Sequence, residues 1–236
     1  MLIKKDKCIG CGQCVIVCPV QAISLVENKA VINDEICVEC DICYRNAECP
    51  VNAIRPRRLK WPRVIRSPFS NVISTHKLTG IPGRGTEEMK TNDVTNRFKM
   101  GEIGFSIEIG RPGVGTYLKN VELFTEPLSI IGVQYEENSP VTALLKEDKI
   151  HLQDDIKEEY VLSAIIEFKV SEDKVLDVLK MIRDVENKIE TVFTVGVVTR
   201  IPQDMKDDKI PIIKILEEEG FPVRPNAKVN VGLGKA

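Results

Sequence analysis

The sequence predicts an α+β protein in which a small cysteine-rich segment precedes a larger domain of strands and helices. All eight cysteines lie early in the chain, in a segment that contains an internal repeat. Residues 101–200 alternate between strand and helix periodicities in the order β-α-β-β-α-β, which is the split βαβ pattern. We therefore expect one domain at residues 1–56 and another at 101–236, the latter with this βαββαβ core and a C-terminal extension. Residues 57–100 are expected to form a basic, Pro- and Gly-rich linker and a polar loop between them.

The overall composition is that of a globular protein. The 236 residues include 43% hydrophobic and 29% charged residues, which argues against intrinsic disorder. The net charge of −2 gives no reason to expect nucleic acid as a partner. No apolar run approaches the roughly 18 to 20 residues that span a bilayer. The opening MLIKKDKC lacks the apolar core of a secretion signal. We expect a cytoplasmic protein without a membrane span.

Two copies of one cysteine pattern make up the N-terminal segment. The first reads CIGCGQCVIVCPVQAI and begins at Cys8, and the second reads CVECDICYRNAECPVNAI and begins at Cys37. Each Cys-Pro-Val-x-Ala-Ile unit is expected to form one helical turn that leads into a strand. Between the copies, AISLVENKAVIN alternates apolar and polar residues around Glu27 and Asn28. This alternation predicts a short hairpin.

The spacing of the cysteines indicates a metal centre. The run Cys-x2-Cys-x2-Cys-x3-Cys-Pro is typical of binding to a cubane [4Fe–4S] cluster. Two intervening residues let the chain curl so that successive thiolates reach three irons, and the same loop turns backbone N–H groups towards the sulfurs. Gly10 and Gly12 suit such a loop because they can take positive φ and bring no side chain near the metal. Disulfides are disfavoured in so compact a segment. The remaining alternative, two Cys₄ zinc sites, normally uses paired Cys-x2-Cys units.

On these motifs, residues 1–56 resemble the bacterial-type two-cluster [4Fe–4S] ferredoxins. The resemblance implies a compact pseudo-symmetric fold and one-electron transfer at low potential. In two-cluster proteins the fourth cysteine of each run ligates the other cluster. The expected ligands of the first cluster are Cys8, Cys11, Cys14 and Cys49. Those of the second cluster are Cys37, Cys40, Cys43 and Cys18.

The second run departs from the simplest family pattern. Five residues, YRNAE, separate Cys43 from Cys49, where the first run has three. Because the fourth ligand of each run belongs to the other cluster, an insertion there is compatible with binding. We expect it to affect the potential of that cluster.

The segment that follows is strongly basic. Between Cys49 and Thr86 there are eight Lys or Arg residues and no acid. Prolines at positions 56, 62 and 68 disfavour a regular helix. One interpretation is a surface solvated or paired with the acidic C-terminal region. The other is a docking strip for an electron-transfer partner. Single-stranded nucleic acid is a weaker alternative, since Trp61 and Phe69 are the only aromatic residues nearby.

The elements of the C-terminal region follow from periodicity. The four predicted strands are GEIGFSIEIG, SIIGVQY, YVLSAIIEFKV and TVFTVGVVT. The first strand is expected to have one apolar face, formed by Ile103, Phe105, Ile107 and Ile109.

Helices are predicted between these strands. One lies in TYLKNVELFTE, with Leu118, Val121 and either Phe124 or Thr125 at helical spacing. The other begins after Ser171, an expected N-cap followed by acidic residues. Its expected apolar face consists of Val175, Leu176, Val178, Leu179 and Ile182. A short helix near VTALLKED, a tail helix at 209–219 and a late strand in KVNVGL complete the prediction. The order is that of ferredoxin-like or ACT-like domains.

No catalytic side chain is predicted. The two histidines have no metal-ligand spacing, and the common nucleophile, P-loop and zinc-protease motifs are absent. A polar loop after Gly83 is a candidate site for a small molecule or partner, the alternative being a solvated loop. The turn RPGVG is a candidate anion site at a helix N-terminus, the alternative being a tight turn. The candidate contact residues are Arg84, Thr86, Lys90, Asn92, Asp93, Arg97 and Arg111.

Two functions of different class follow from this sequence. The first is an electron-transfer protein or subunit that passes single electrons through two [4Fe–4S] clusters to or from an anaerobic oxidoreductase. The second is a redox-sensing regulatory or assembly protein whose C-terminal domain binds a small ligand or a partner. Split βαβ domains often dimerise, so a homo-oligomer is a fold-level expectation. A complete enzyme would need an organic redox cofactor, for which no motif is recognised.

Overall fold

A computed structural model describes residues 1–81, 97–111, 113–200, 210–221 and 223. The described part combines helices and sheets, as predicted. None of its helices is both long enough and apolar enough to cross a membrane. The expected strand in KVNVGL lies outside the described residues.

Two small antiparallel pairs of strands form the framework of the N-terminal segment. Strand β1 (Leu2–Ile3) pairs with β4 (Ile54–Arg55), which joins the beginning of the segment to its end. Strand β2 (Ile23–Val26) pairs with β3 (Lys29–Ile32), confirming the predicted hairpin. The φ angles of its two turn residues, 49° and 57°, are both positive, as a type I′ hairpin turn requires.

The two cysteine runs have the same local structure. The third cysteine of each run lies in a short helix, α1 (Gln13–Ile16) or α2 (Ile42–Asn46). The expected helical turn after the fourth cysteine is wrong, because both copies form a β-turn closed by a hydrogen bond. Gln21 N–H donates to the Cys18 carbonyl at 3.2 Å, and Asn52 N–H donates to the Cys49 carbonyl at 3.1 Å. Gln21 and Asn52 have positive φ, 52° and 48°, which ends any right-handed helix before β2 and β4 begin.

Six further strands lie in the C-terminal region. They are β5 (Glu102–Ile109), β6 (Thr116–Tyr117), β7 (Gln134–Tyr135), β8 (Tyr160–Val161), β9 (Ala164–Ser171) and β10 (Phe193–Thr199). Four of them form one antiparallel sheet in the order β10-β5-β9-β7. Strands β6 and β8 pair separately. The sheet places β5, the first strand of the region, in its centre.

Helices α3 (Glu122–Ile131), α4 (Val175–Glu186) and α5 (Pro211–Glu218) complete the region. Most of the predicted apolar faces are confirmed. The predicted apolar residues of β5 are buried, namely Ile103, Phe105, Ile107 and Ile109, and so are the intervening Gly104 and Ser106. So are the residues predicted at helical spacing around α3, namely Leu118, Val121, Phe124 and Thr125. Leu176 is an exception, with 41% of its surface exposed, because the buried stripe of α4 continues through Met181 and Val185 instead.

The predicted second strand, SIIGVQY, is mostly wrong. Its first three residues form the last turn of α3, and only Gln134 and Tyr135 form a strand. Gly132 ends the helix with a φ of 74° and donates its N–H to the Leu128 carbonyl at 3.0 Å. A short apolar run does not by itself distinguish a strand from a helical turn, and here Ile130 continues the helix although it is 88% exposed.

Three smaller expectations also differ in detail. The predicted third strand is divided between β8 and β9. Ser171 occupies the N-cap position but makes no capping hydrogen bond, and the turn Glu172–Lys174 is a 3₁₀ helix that leads into α4. The run VTALLKED contains only a 3₁₀ turn, Thr142–Leu144.

Part of the basic segment packs against the C-terminal region. Ile65 and Phe69 are buried in the same hydrophobic core as β5 and α3. Ser163 N–H donates to the Phe69 carbonyl at 3.4 Å, and Leu162 N–H donates to Ser70 Oγ at 2.9 Å. These residues therefore attach the basic segment to the large core.

Candidate metal centre

Four cysteines surround one cavity in the N-terminal segment. The cavity is partly open to solvent. Its cysteine lining comprises Cys8, Cys11, Cys14 and Cys49. The pairing of β1 with β4 brings Cys49, which just precedes β4, against the first cysteine run. Apolar side chains such as Ile3, Val51 and Ile54 form much of the remaining wall.

Glycine is required in the first cysteine loop by a close approach. Gly10 has a φ of 72°, and a Cβ atom there would lie 2.3 Å from the carbonyl oxygen of Asn28. The loop thus lies directly on the β2–β3 hairpin, and Lys29 donates a hydrogen bond to the Cys8 carbonyl. Gly12 also has a positive φ of 77°. A Cβ atom there would have as its nearest neighbour a methyl group of Leu25 at 4.0 Å. The predicted positive φ of both glycines is confirmed.

Backbone amides donate hydrogen bonds to three of the sulfurs. Ala30 N–H donates to Cys8 Sγ at 3.3 Å. Ala22 N–H donates to Cys18 Sγ at 3.2 Å, and Ala53 N–H donates to Cys49 Sγ at 3.3 Å, so the two repeats share this contact. Such bonds stabilise the thiolate form, which is the form that binds metal. Partial burial would raise the pKa of Cys49, but the backbone amides of residues 51–54 lower it.

The electrostatic neighbours of the buried thiols fall into two groups. Burial raises the pKa of Cys14, and Cys11, Cys8 and Cys49 raise it further. Burial also raises the pKa of Cys43 to about 12, and the nearby thiols that add to this are Cys40, Cys37 and Cys18. The pKa of Cys40 is raised by burial and then by Cys18 and Cys37.

This donor set fits an iron–sulfur cluster. Burial and the repulsion between neighbouring thiolates keep these thiols protonated in the absence of metal. They ionise when a metal cation replaces their protons. Within the described residues, no three His, Cys, Asp or Glu side chains converge closely enough to hold a single ion. The four cysteines of the first group are instead spread around the wall of an open cavity.

An acidic residue of the second run, which the sequence analysis did not single out, lies at the centre of an ion-pair network. Glu39 occupies the position equivalent to Gly10, has a φ of 54° and is 2% exposed. It accepts hydrogen bonds from Arg57 Nη2 and Arg63 Nε, both at 2.8 Å. Its burial would raise its pKa, but hydrogen bonds from the Met1 amino group and Arg57 hold the pKa below the usual value. Aligning the two cysteine repeats would have revealed this acid at a glycine position.

The basic segment is paired in part with the N-terminal segment itself. Arg57 makes two hydrogen bonds of 2.9 Å to the carboxylate of Asp34, and Arg63 donates to the Asp34 carbonyl at 2.6 Å. Among the described residues, Arg66 is the one of these three arginines that pairs with an acid of the C-terminal region, Glu159. The expected pairing with the acidic C-terminal region is therefore found for Arg66, but it is wrong for Arg57 and Arg63, which pair with acids that precede them in sequence.

A second set of hydrogen bonds connects the same segment to Cys40. Arg45 Nη2 donates to the Cys40 carbonyl at 3.0 Å, and Arg45 Nη1 donates to Asn71 Oδ1 at 3.1 Å. Asn71 Nδ2 in turn donates to Asp41 at 3.1 Å. Residues 57–71 thus contact the second cysteine run at several points.

The other candidate contact residues do not form a common site in the described structure. Arg84, Thr86, Lys90, Asn92 and Asp93 lie outside the described residues.

The two candidates that the structure does describe lie beyond opposite ends of β5. Arg97 pairs with Glu136 at 2.7 Å, and Arg111 pairs with Glu108 at 2.8 Å. The glycine-rich turn beside Arg111 leads into β6 and not directly into a helix. Both of these ion-pair partners belong to the C-terminal region.

Comparison with known proteins agrees with this centre. Residues 1–24 match the family model described as a 4Fe-4S binding domain. Over 53 residues the chain is 45% identical to Ferredoxin-1 of Caulobacter vibrioides, a match that covers 22% of this chain and 45% of that protein. Over 56 residues it is 40% identical to the pyruvate synthase subunit PorD of Methanothermobacter marburgensis, a match that covers 24% of this chain and 63% of that protein. Over 98 residues it is 30% identical to Ferredoxin Fdx2 of Sorangium cellulosum, a match that covers 40% of this chain and 93% of that protein.

The extent of these matches differs between relatives. The chain spans 45% of the Caulobacter protein and 63% of the archaeal subunit, but 93% of the Sorangium protein. No solved structure matches the chain significantly.

Proposed function

The chain belongs to the ferredoxin family through its N-terminal segment, and from this premise we propose that it carries single electrons through two [4Fe–4S] clusters. Iron–sulfur electron transfer of the ferredoxin type follows from the family. The number of clusters rests above all on the two cysteine runs of the sequence. It is supported by the two separate sets of cysteines that raise the pKa of Cys14 and of Cys43.

The proposed ligands are the ones that the spacing predicts. The cavity supports a first cluster held by Cys8, Cys11, Cys14 and Cys49. The mutual pKa effects support a second cluster held by Cys18, Cys37, Cys40 and Cys43. In each set the fourth ligand comes from the other repeat, so each cluster crosslinks both halves of the segment.

The protein supplies the surroundings of these ligands. A bound [4Fe–4S] cluster accepts and releases one electron at a time. The amides of Ala22, Ala30 and Ala53 offset negative charge on the sulfurs, while Ile3 and Ile54 limit the contact of the first cavity with water. Cys11 remains exposed, which leaves a short path between the first cluster and a partner.

The partner in this proposal is an oxidoreductase of an anaerobic organism, with the chain as its electron-transfer component in the cytoplasm. One relative is named as a pyruvate synthase subunit, which supports a role within a larger redox enzyme. The unpaired state of all eight cysteines is compatible with a reducing compartment.

For the C-terminal region we propose a split βαβ domain at residues 101–236, after an N-terminal domain at 1–56 and a connection at 57–100. The sheet order β10-β5-β9-β7 and the two helices α3 and α4 support this class. A homo-oligomer formed by this domain is part of the proposal. So is a ligand or partner contact at Arg97, at Arg111 and at the residues of the polar loop.

A redox-sensing role is the second candidate. It is favoured by the contacts of residues 57–71 with both the second cysteine run and the C-terminal core. Through these contacts a ligand of the C-terminal domain and the state of the second cluster would affect each other.

The test is anaerobic purification of the full chain with quantitation of iron and acid-labile sulfide. We expect about eight iron atoms per chain and EPR signals of reduced [4Fe–4S] clusters. Colourless protein, or protein that contains zinc in place of iron, would contradict the proposal.

Cysteine variants test the crossed ligands. Cys49→Ser and Cys11→Ser should each remove or impair the first cluster. Cys18→Ser and Cys40→Ser should each remove or impair the second cluster. Ile16→Ser changes a residue of α1 that is 80% exposed and does not line the cavity, and it serves as the matched control, with full iron expected. The assignment is wrong if Cys49→Ser impairs the cluster that Cys40→Ser impairs.

A further inference from the structure

The side chain of Arg66 connects the second cysteine run to the C-terminal region. Its Nη1 atom lies 3.0 Å from the Asp34 carbonyl oxygen and 2.9 Å from the carbonyl oxygens of Glu35 and Cys37. Its Nε atom donates to the carboxylate of Glu159. Arg66 is 6% exposed and Glu159 is 9% exposed, so both charges are shielded from water.

Both members of this pair are fixed to the large core. Glu159 N–H donates to the Ile156 carbonyl at 2.9 Å, and the Glu159 carbonyl accepts from Leu118 N–H at 3.0 Å. Ile156 and Leu118 are fully buried. Arg66 is the last residue of the 3₁₀ turn Arg63–Arg66. The same turn contains Ile65, which is buried in the large core. The guanidinium therefore keeps its position relative to the C-terminal region while it contacts the loop that carries Cys37.

A buried ion pair of this kind is weak evidence for stability alone. Removing two charges from water costs about as much as their attraction returns, and apolar replacements are often neutral or better. What the pair provides is a fixed charge in a region of low dielectric, where its potential reaches further than that of a surface charge. The nearest proposed ligand is Cys37, whose backbone Arg66 contacts directly.

We propose that the Arg66–Glu159 pair makes the reduction potential of the second cluster depend on the C-terminal region. This inference rests on the proposed function, because it needs the second cluster to exist. Reduction adds one electron and hence one negative charge. The guanidinium of Arg66 favours that charge, and the carboxylate of Glu159 opposes it. Arg66 and Glu159 are thus positioning residues for electron transfer, and a shift of the C-terminal region would alter the potential.

Other charges near this run do not give the same dependence. Arg57 and Arg63 pair with Asp34 and Glu39, which belong to the N-terminal segment. Lys29 contacts Cys8 near the first cavity and likewise belongs to that segment. The predicted effect is therefore confined to one of the two clusters.

The experiment is an EPR-monitored redox titration of the anaerobically purified full chain with both clusters present. Arg66→Gln should lower the potential of one cluster, and Glu159→Gln should raise the potential of the same cluster. We expect each variant to alter the equilibrium constant for reduction of that cluster about tenfold. For a one-electron couple this is a shift of about 59 mV in the reduction potential. The double variant should lie between the two single variants, and the other cluster should not move.

Two further variants separate charge from structural damage. Arg66→Lys keeps the charge and should restore a potential close to that of the unchanged protein. Glu158→Gln removes a carboxylate charge from the neighbouring residue. Glu158 is exposed and pairs with Lys119 at 3.0 Å, so this variant should leave the reduction potentials of both clusters unchanged.

The outcomes are distinguishable. The inference is overturned if both single variants retain full iron and unchanged potentials, or if both shift the potential in the same direction. If Arg66→Gln does not fold, Glu159→Gln and Arg66→Lys still decide the question. A chain that never binds a second cluster would instead contradict the proposed function.

Discussion

Glu39 and Asp41 have φ angles of 54° and 59° at the positions where the first cysteine run has Gly10 and Gly12. The left-handed region costs a non-glycine residue roughly 1–2 kcal/mol. For Glu39 the hydrogen bonds from Arg57 and Arg63 offset this cost. At this position the two runs therefore reach the same backbone conformation differently, the first through Gly10 and the second through ion pairing of Glu39.

The glycines of the first run differ in what surrounds them, and this gives a matched pair of variants. Gly12→Ala should lower the free energy of unfolding by about 1 kcal/mol, because only the backbone conformation of residue 12 becomes unfavourable. Gly10→Ala should cost more, because its Cβ would lie 2.3 Å from the Asn28 carbonyl oxygen and would displace the hairpin. The measurements are iron content and the temperature at which the visible absorbance is lost. Equal losses in the two variants would show that the hairpin contact is unimportant.

At the scale of elements, the short segment around Arg63–Arg66 is the part of the chain that touches both the second cysteine run and the C-terminal core. Phe69→Ala removes a fully buried ring from that core and should lower the free energy of unfolding by about 3–5 kcal/mol. Val72→Ala is the control, since Val72 is 61% exposed and should change stability by less than about 0.5 kcal/mol. Urea unfolding of the full chain measures both. A loss for Phe69→Ala no larger than that of the control would mean that this segment is not part of the core.

Elements with a clear period were predictable from the sequence, and those decided by distant contacts were not. The alternation of β5 and the apolar stripe of α4 each have a period that belongs to one kind of structure. The run SIIGVQY has no such period, and it divides at Gly132 into the last turn of α3 and the two residues of β7 that pair with β9.

The candidate site shows the same division. The spacing of the cysteines identified the proposed ligands because their positions are local to each run. The contact of Arg66 with Glu159 joins residues 93 positions apart, and no local pattern could pair one arginine of a basic run with one acid among many. The buried position of Glu39 likewise depends on arginines that follow it by 18 and 24 positions.

At the scale of the whole molecule, the two hydrophobic cores differ in composition. The core of the N-terminal segment includes the cysteines Cys8, Cys14 and Cys43 among a few small apolar residues. The core of the C-terminal region consists of large apolar residues such as Phe105, Phe124 and Phe168. From this difference we expect the N-terminal segment to need metal to fold and the larger region not to need it.

Removal of iron should therefore unfold one part of the molecule and spare the other. After anaerobic treatment with a chelator, hydrogen exchange should become fast at Ala22, Ala30 and Ala53, whose amides donate to cysteine sulfurs. Strands β5 and β9 should stay protected, because their pairing depends on the C-terminal core. Mass-spectrometric hydrogen exchange on the chelated and untreated chain measures both.

The same experiment separates the two cysteine runs. The second run retains contacts with Arg57, Arg63 and Arg66 that need no metal, so its loop should lose protection more slowly than the first. The double variant Arg66→Gln/Glu159→Gln should remove much of this difference. Uniform loss across both runs and the sheet would contradict the separation of the two cores, because it would mean that the C-terminal region also depends on the clusters for its fold.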